Sequence, residues 1–157
     1  MILESTKKYK KAETIDPESY YSSELNKKVV LGDGKITQDK IKISTWNING
    51  LKSIVKSEYL QKYIASEKPD ILCLNEVKIT SDDAHNPEFL SWIPPDYHYY
   101  FNCCRFKRGI YGTAILSRFL PIDIRYGFGV EKYDREGRVL VAEYEKFFTM
   151  SVYAPNQ

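Results

Sequence analysis

Four consecutive apolar residues, Ile71-Leu72-Cys73-Leu74, constrain this chain more than any other stretch. So short and uninterrupted a run has no polar face to give to water, and it reads as a strand covered on both sides. What precedes it supplies its partner. Ile41, Ile43 and Thr45 alternate with Lys42, Ser44 and Trp46 at strand period, and Asn47-Ile48-Asn49-Gly50 breaks that strand. Leu51, Ile54, Val55, Tyr59, Tyr63 and Ile64 recur at helical spacing, which predicts one helix over about residues 51–66, unable to continue past Pro69. Strand, helix and strand in that order predict a parallel pair and an α/β fold.

Further along, residues 80–87 read as a polar loop and residues 89–93 as a helical turn before Pro94-Pro95. Strands are expected over residues 97–104, 112–116, 122–126, 139–144 and 147–153, separated by Gly109, Pro121, Gly127, Gly129 and Gly137. Such a series of neighbours predicts hairpins and a mixed sheet flanked by helices. The opening residues differ. Residues 1–39 have few aliphatic side chains and no period, and are expected to form a disordered basic and polar tail ahead of a domain over residues 40–157. Lys7, Lys8, Lys10 and Lys11 flank Tyr9 there. The cluster reads as a solvated charge run, a nuclear address or a weak phosphate-backbone contact.

Composition narrows the class. The chain has 157 residues, with 43% hydrophobic side chains, and 23 Lys and Arg against 21 Asp and Glu give a net charge of +2. That is a globular domain rather than a disordered chain. Its near-neutral charge announces no nucleic-acid binder, so such a function must be argued from a site. No stretch approaches the roughly 18 apolar residues of a membrane span, and the N-terminus lacks the apolar core of a secretory signal. Cys73, Cys103 and Cys104 are odd in number and two are adjacent, which suits a reducing compartment and no disulfide framework. The expectation is a nuclear or otherwise cytoplasmic protein with no membrane partner.

Asn47 and Asn49 lie just past the first strand, and Glu76 just past the second. The crevice beyond the carboxyl ends of parallel strands is where open α/β sheets bind ligands. One carboxylate with carboxamide oxygens suits Mg²⁺ or Mn²⁺ when phosphate and water complete the octahedron. Asn-x-Asn-Gly is also a good turn sequence, and on the motif alone a turn is the simpler reading. Tyr153 can direct its phenol into the same crevice, and Asn156 can donate to a phosphate; a core tyrosine and a terminal turn are the bland alternatives.

Five strings in one order carry a resemblance: ISTWNINGL at Ile43 to Leu51, PDILCLNEVK at Pro69 to Lys78, GTAILSR at Gly112 to Arg118, EGRVLVAE at Glu136 to Glu143, and YAPN at Tyr153 to Asn156. From about Ile41 onward the chain resembles the exonuclease III-type apurinic/apyrimidinic endonucleases of the endonuclease/exonuclease/phosphatase superfamily. The resemblance implies the N-terminal half of a four-layered α/β sandwich. It implies Mg²⁺-dependent (or Mn²⁺-dependent) hydrolysis of the phosphodiester 5′ to an abasic site in double-stranded DNA, with 3′-exonuclease or 3′-phosphodiesterase activity in several members. It also implies roles. Glu76 is the principal metal ligand, Asn47 completes the metal and phosphate site, and Asn49 stands in the metal's outer shell. Tyr153 is the catalytic tyrosine. Asn156, Lys52, Lys78 and Tyr111 contact phosphate or DNA, or lie near the metal.

The pattern is departed from in places. Asn75 stands where relatives have Gln, and Ile110-Tyr111-Gly112 alters the loop that carries a DNA-contacting tyrosine. The family's Gly-Asp-x-Asn and Ser-Asp-His motifs do not follow Tyr153. Gly32-Asp33-Gly34 and Ser81-Asp82-Asp83-Ala84-His85 are in the wrong places to replace them. The chain by itself is therefore expected to be inactive or nearly so, with one sheet exposing its inner apolar face and a second chain as a possible supplier of the missing half. Another phosphoesterase of the superfamily, or a non-catalytic DNA- or partner-binding remnant, are the competing readings.

Overall fold

The computed structural model describes residues 31–155. Strand β1 (Ile43–Asn47) is followed by helices α1 (Leu51–Lys56) and α2 (Tyr59–Glu67) and then β2 (Ile71–Asn75). Helix α3 (Ser81–Ala84) and a 3-10 turn (Phe89–Trp92) precede β3 (His98–Asn102) and β4 (Thr113–Ser117). After β5 (Asp123–Tyr126) come α4 (Glu131–Asp134), β6 (Val139–Glu143) and β7 (Phe148–Val152). The strands form two sheets, ordered β1-β2-β4-β3 and β5-β6-β7. Among the described residues only β1 and β2 run parallel; every other pair is antiparallel.

The expected strand–helix–strand opening is present, with the apolar run as β2. Its alternation explains its burial. Leu72 and Leu74 point to the helices, where they pack with Leu51, Leu60, Ile64 and Leu116. Ile71 and Cys73 point to the second sheet, among Tyr100, Ile115, Ile124, Leu140 and Ala142. Each fully buried aliphatic side chain contributes about 1.5–3 kcal/mol. The result is three layers: helices, first sheet, second sheet. Polar side chains also tie the two sheets. Asn102 Nδ2 donates to the Val139 carbonyl at 2.7 Å, Thr113 Oγ1 to the Gly137 carbonyl at 3.0 Å, and Tyr144 Oη to Ser117 Oγ at 2.8 Å. Gly137 sits so close to β3 that a Cβ there would meet the Asn102 carbonyl oxygen at 2.4 Å.

Several expectations are corrected. The helix expected over residues 51–66 is two, because Glu58 takes a left-handed conformation with φ 61°. The stretch over residues 80–87 is not all loop: Thr80 and Asp83 form a reciprocal capping box that starts α3. Helix α4 was not anticipated. The inner face of the first sheet is not left bare, since β6 and β7 lie across β2, β3 and β4. The exposed apolar side chains on the described strands are instead Ile43 on the edge strand β1 and Phe148, Met150 and Val152 on the outer side of β7. Of the expected tail, residues 1–30 lie outside the described residues. Residues 31–39 carry no regular element, yet Leu31 and Ile36 pack on the inter-sheet core, and the Leu31 N–H donates to the Ile122 carbonyl at 2.9 Å. No helix among the described residues is long and apolar enough to cross a membrane.

Candidate active site

Parallel pairing brings the site together. Asn47 is the register partner of Asn75, so the residues just beyond the two strand ends lie side by side. The pairing continues past the strands: Ile48 N–H donates to the Asn75 carbonyl at 3.0 Å, Gly50 N–H to Glu76 at 2.8 Å, and Leu51 N–H to Val77 at 2.8 Å. On the other side, Val77 N–H donates to the Gly112 carbonyl at 3.2 Å and Lys78 N–H to Tyr111 at 2.9 Å. Residues 76–78 therefore form a central strip held from both flanks. Within it Glu76 and Lys78 take left-handed backbone conformations, with φ 55° and 50°. Non-glycine residues adopt that region at a cost, and such residues concentrate at functional sites.

The Glu76 side chain is only 15% exposed and is the focus of the cluster. Asn47 Nδ2 donates to its Oε1 at 2.8 Å, and Lys78 Nζ lies 2.9 Å from its Oε2. Hydrogen bonds from Asn47 first, then Lys78, with a further one from Tyr153, hold the Glu76 carboxyl below the usual range against the opposing effect of burial. Glu76 is therefore charged at neutral pH. Lys78 Nζ also donates to Asn49 Oδ1 at 2.5 Å, so the ammonium bridges two hard oxygens. Their convergence on one cationic centre is the arrangement a divalent ion would use. Asn47 turns its amide nitrogen to Glu76, while its Oδ1 accepts from the Asn49 N–H at 3.1 Å. The turn and the site are thus one feature. Among the described residues no three His, Cys, Asp or Glu side chains group as a metal cage, so Glu76 would rely on amide, water and phosphate oxygens for the rest of a coordination sphere.

Tyr153 arrives from the second sheet. Its N–H donates to the Arg138 carbonyl at 2.8 Å, extending the β6–β7 ladder by a residue. Asn75 joins the sheets beneath it: its Nδ2 donates to the Val152 carbonyl at 3.2 Å, and its Oδ1 accepts from Ser151 Oγ at 3.1 Å. Arg138 completes the wall. Its guanidinium stacks on Tyr111 at 4.1 Å and on Tyr153 at 4.6 Å, and it is held by Glu136.

Of the residues expected from sequence, Asn47, Asn49, Glu76, Lys78, Tyr111 and Tyr153 come together. Lys52 does not point into this cluster. It pairs with Asp83 at 2.8 Å and lies 5.9 Å from the centre of the Phe89 ring. Asn156 lies outside the described residues. Arg138 and Ser151 were missed; Arg138 stood inside the EGRVLVAE string, which was the available signal.

The sequence model described as the Endonuclease/Exonuclease/phosphatase family matches residues 44–156. An exodeoxyribonuclease of Bacillus subtilis (strain 168) is 40% identical over 116 residues, covering 74% of this chain and 43% of its own length. A DNA-(apurinic or apyrimidinic site) endonuclease of Dictyostelium discoideum is 34% identical over 126 residues, covering 80% of this chain and 33% of its own. A solved 3′ phosphatase from Neisseria, bound to a product DNA hairpin, superposes with a TM-score of 0.59 at 29% identity, over 73% of this chain and 41% of that one. The chain thus spans less than half the length of these relatives.

Proposed function

The chain belongs to the endonuclease/exonuclease/phosphatase family, and on that footing we propose that it supplies the metal- and phosphate-binding side of a DNA-repair phosphodiesterase. The substrate is double-stranded DNA with an abasic site, cut 5′ to that site, and 3′-end processing is the companion activity. The observation that carries this reading is the convergence of Asn47, Lys78 and Tyr153 on the single carboxylate of Glu76. Mg²⁺, or Mn²⁺ in its place, would be held by Glu76 with Asn49 close by, and when bound it would offset the charge that builds on the phosphoryl oxygens. Asn47 orients Glu76. Tyr153 presents its phenol to the phosphate, and Lys78 lies beside the Glu76 and Asn49 oxygens. Asn156 is a further phosphate donor in this reading, and Lys52 a backbone contact at the rim. The same reading places the protein in the nucleus, with Lys7, Lys8, Lys10 and Lys11 as the address.

A group that orients the attacking water is not among the residues gathered here, and a second chain is one source for it. The outer side chains of β7, exposed and with β6 its only paired strand among the described residues, favour such a partner. The test is incision of a duplex with one abasic site, in Mg²⁺, by the chain alone and with the C-terminal portion of the Bacillus relative added in trans. Incision is expected only in the supplemented reaction, lost with chelator and in Glu76→Ala. Incision that survives Glu76→Ala, or none in any supplemented reaction, overturns the proposal.

A further inference from the structure

The loop between β3 and β4 carries an aromatic side chain that the proposed reaction leaves unused. Phe106 is 56% exposed. A lone exposed aromatic needs no explanation, but this one continues a file. Its ring centre is 6.4 Å from that of Tyr111, which is 6.2 Å from that of Tyr153. Three rings therefore lead outward from the Glu76 carboxylate. Exposed Lys107 and Arg108 follow Phe106 directly, Arg108 being paired with Asp82 at 2.6 Å. The file is anchored at its base. The backbone strip that carries Glu76 also fixes the loop's end, through Lys78 N–H to the Tyr111 carbonyl at 2.9 Å, and Arg105 N–H donates to the Arg135 carbonyl at 2.8 Å at its start.

The rings are tilted by 47° and 48° to one another, and Arg138 covers a face of Tyr111 and of Tyr153, so Phe106 is the ring presented to solvent. An exposed aromatic ring beside cationic side chains is what an unpaired strand takes: a base stacks on the ring while the backbone follows the charge. A paired base has both faces covered by its neighbours and reaches a side chain only by leaving the stack. We propose that Phe106 is a specificity-determining residue, stacking on an unpaired base next to the phosphate held at the Glu76 cluster. DNA that is frayed, mismatched or single-stranded beside the cleaved bond is then preferred over fully paired DNA. This rests on the DNA reading given above.

The test is fluorescence anisotropy with two labelled duplexes of one length, one fully paired and one mismatched at its 3′ end, at low and moderate salt. The wild-type chain binds the frayed duplex more tightly. Phe106→Ala loses about tenfold on the frayed duplex and less than about twofold on the paired one. Phe106→Trp keeps the preference, and its emission in excess of Trp46 and Trp92 is quenched by the frayed DNA. Equal wild-type affinity for the two duplexes, or an equal loss on both in Phe106→Ala, overturns the stacking role and leaves the DNA reading standing. No salt-dependent affinity of the wild-type chain for either duplex overturns the DNA reading, and the stacking role with it.

Discussion

The Arg138 guanidinium touches two phenol rings, 4.1 Å and 4.6 Å from their centres, and is held by Glu136. Burial works against its charge, but Glu136 and the Tyr153 side more than compensate, so its proton is held more firmly than usual. Each cation–π face contributes about 0.5–1 kcal/mol, and more where water is excluded. Arg138→Ala should therefore cost about 2 kcal/mol in urea unfolding, and Arg138→Lys should recover less than half of it, because a compact ammonium cannot reach both rings and Glu136 as the planar, forked guanidinium does. Residues differ in how openly the sequence declares them. Glu76, Asn47 and Asn49 were legible because each stands at the end of a strand with a plain sequence signal or one or two positions past it. Arg138 was not, since its bracket needs β6, β7 and the β3–β4 loop to meet, and no local spacing encodes that meeting.

Among the elements, α3 shows how a short helix is made stable by the residue that caps it. Thr80 Oγ1 accepts from the Asp83 N–H at 3.2 Å, and the Asp83 carboxylate accepts from the Thr80 N–H at 3.0 Å. Burial pushes the Asp83 carboxyl up, but Lys52 and the Thr80 donors outweigh it and hold it below the usual aspartate range. A carboxyl lowered by folding adds stability above its unfolded pKa of about 4, and that stability is lost as pH falls through the folded value. Asp83→Asn should thus cost roughly 1 kcal/mol near neutral pH and progressively less as pH falls below about 4, as a series of urea melts across acid pH would show. The Thr80-x-x-Asp83 spacing was readable as a cap, yet the polar run around it read as loop. The break at Ser57 and Glu58 was unreadable for a different reason. Leu60 and Ile64 stay buried with Leu51 against the first sheet, so the apolar period runs across the interruption as though it were absent. All seven strands were legible within a few residues because alternation and Gly or Pro punctuation agree; their division into two sheets was not, as pairing between β4 and β5 and pairing between β5 and β6 look alike in a sequence.

At the scale of the molecule, the outer side of β7 is an exposed apolar stripe. Phe148, Met150 and Val152 alternate with buried Thr149 and Ser151, and β6 is the only strand paired with β7 among the described residues. Strand edges of that kind invite pairing with another chain. The isolated chain should therefore self-associate at micromolar concentration, and Met150→Lys should shift light scattering toward the monomer without altering its circular dichroism. The two hydrophobic layers on either side of the first sheet hold one cysteine each: Cys103 with the helices and Cys73 with the second sheet. Burial raises the Cys73 thiol to about 11 and the Cys103 thiol to about 12, so neither reacts until its layer opens. Each cysteine is in effect a stopwatch for its own layer. If alkylation of both proceeds at one rate, the protein breathes as a single cooperative unit; if Cys73 reacts first, the second sheet lifts away while the helices stay docked.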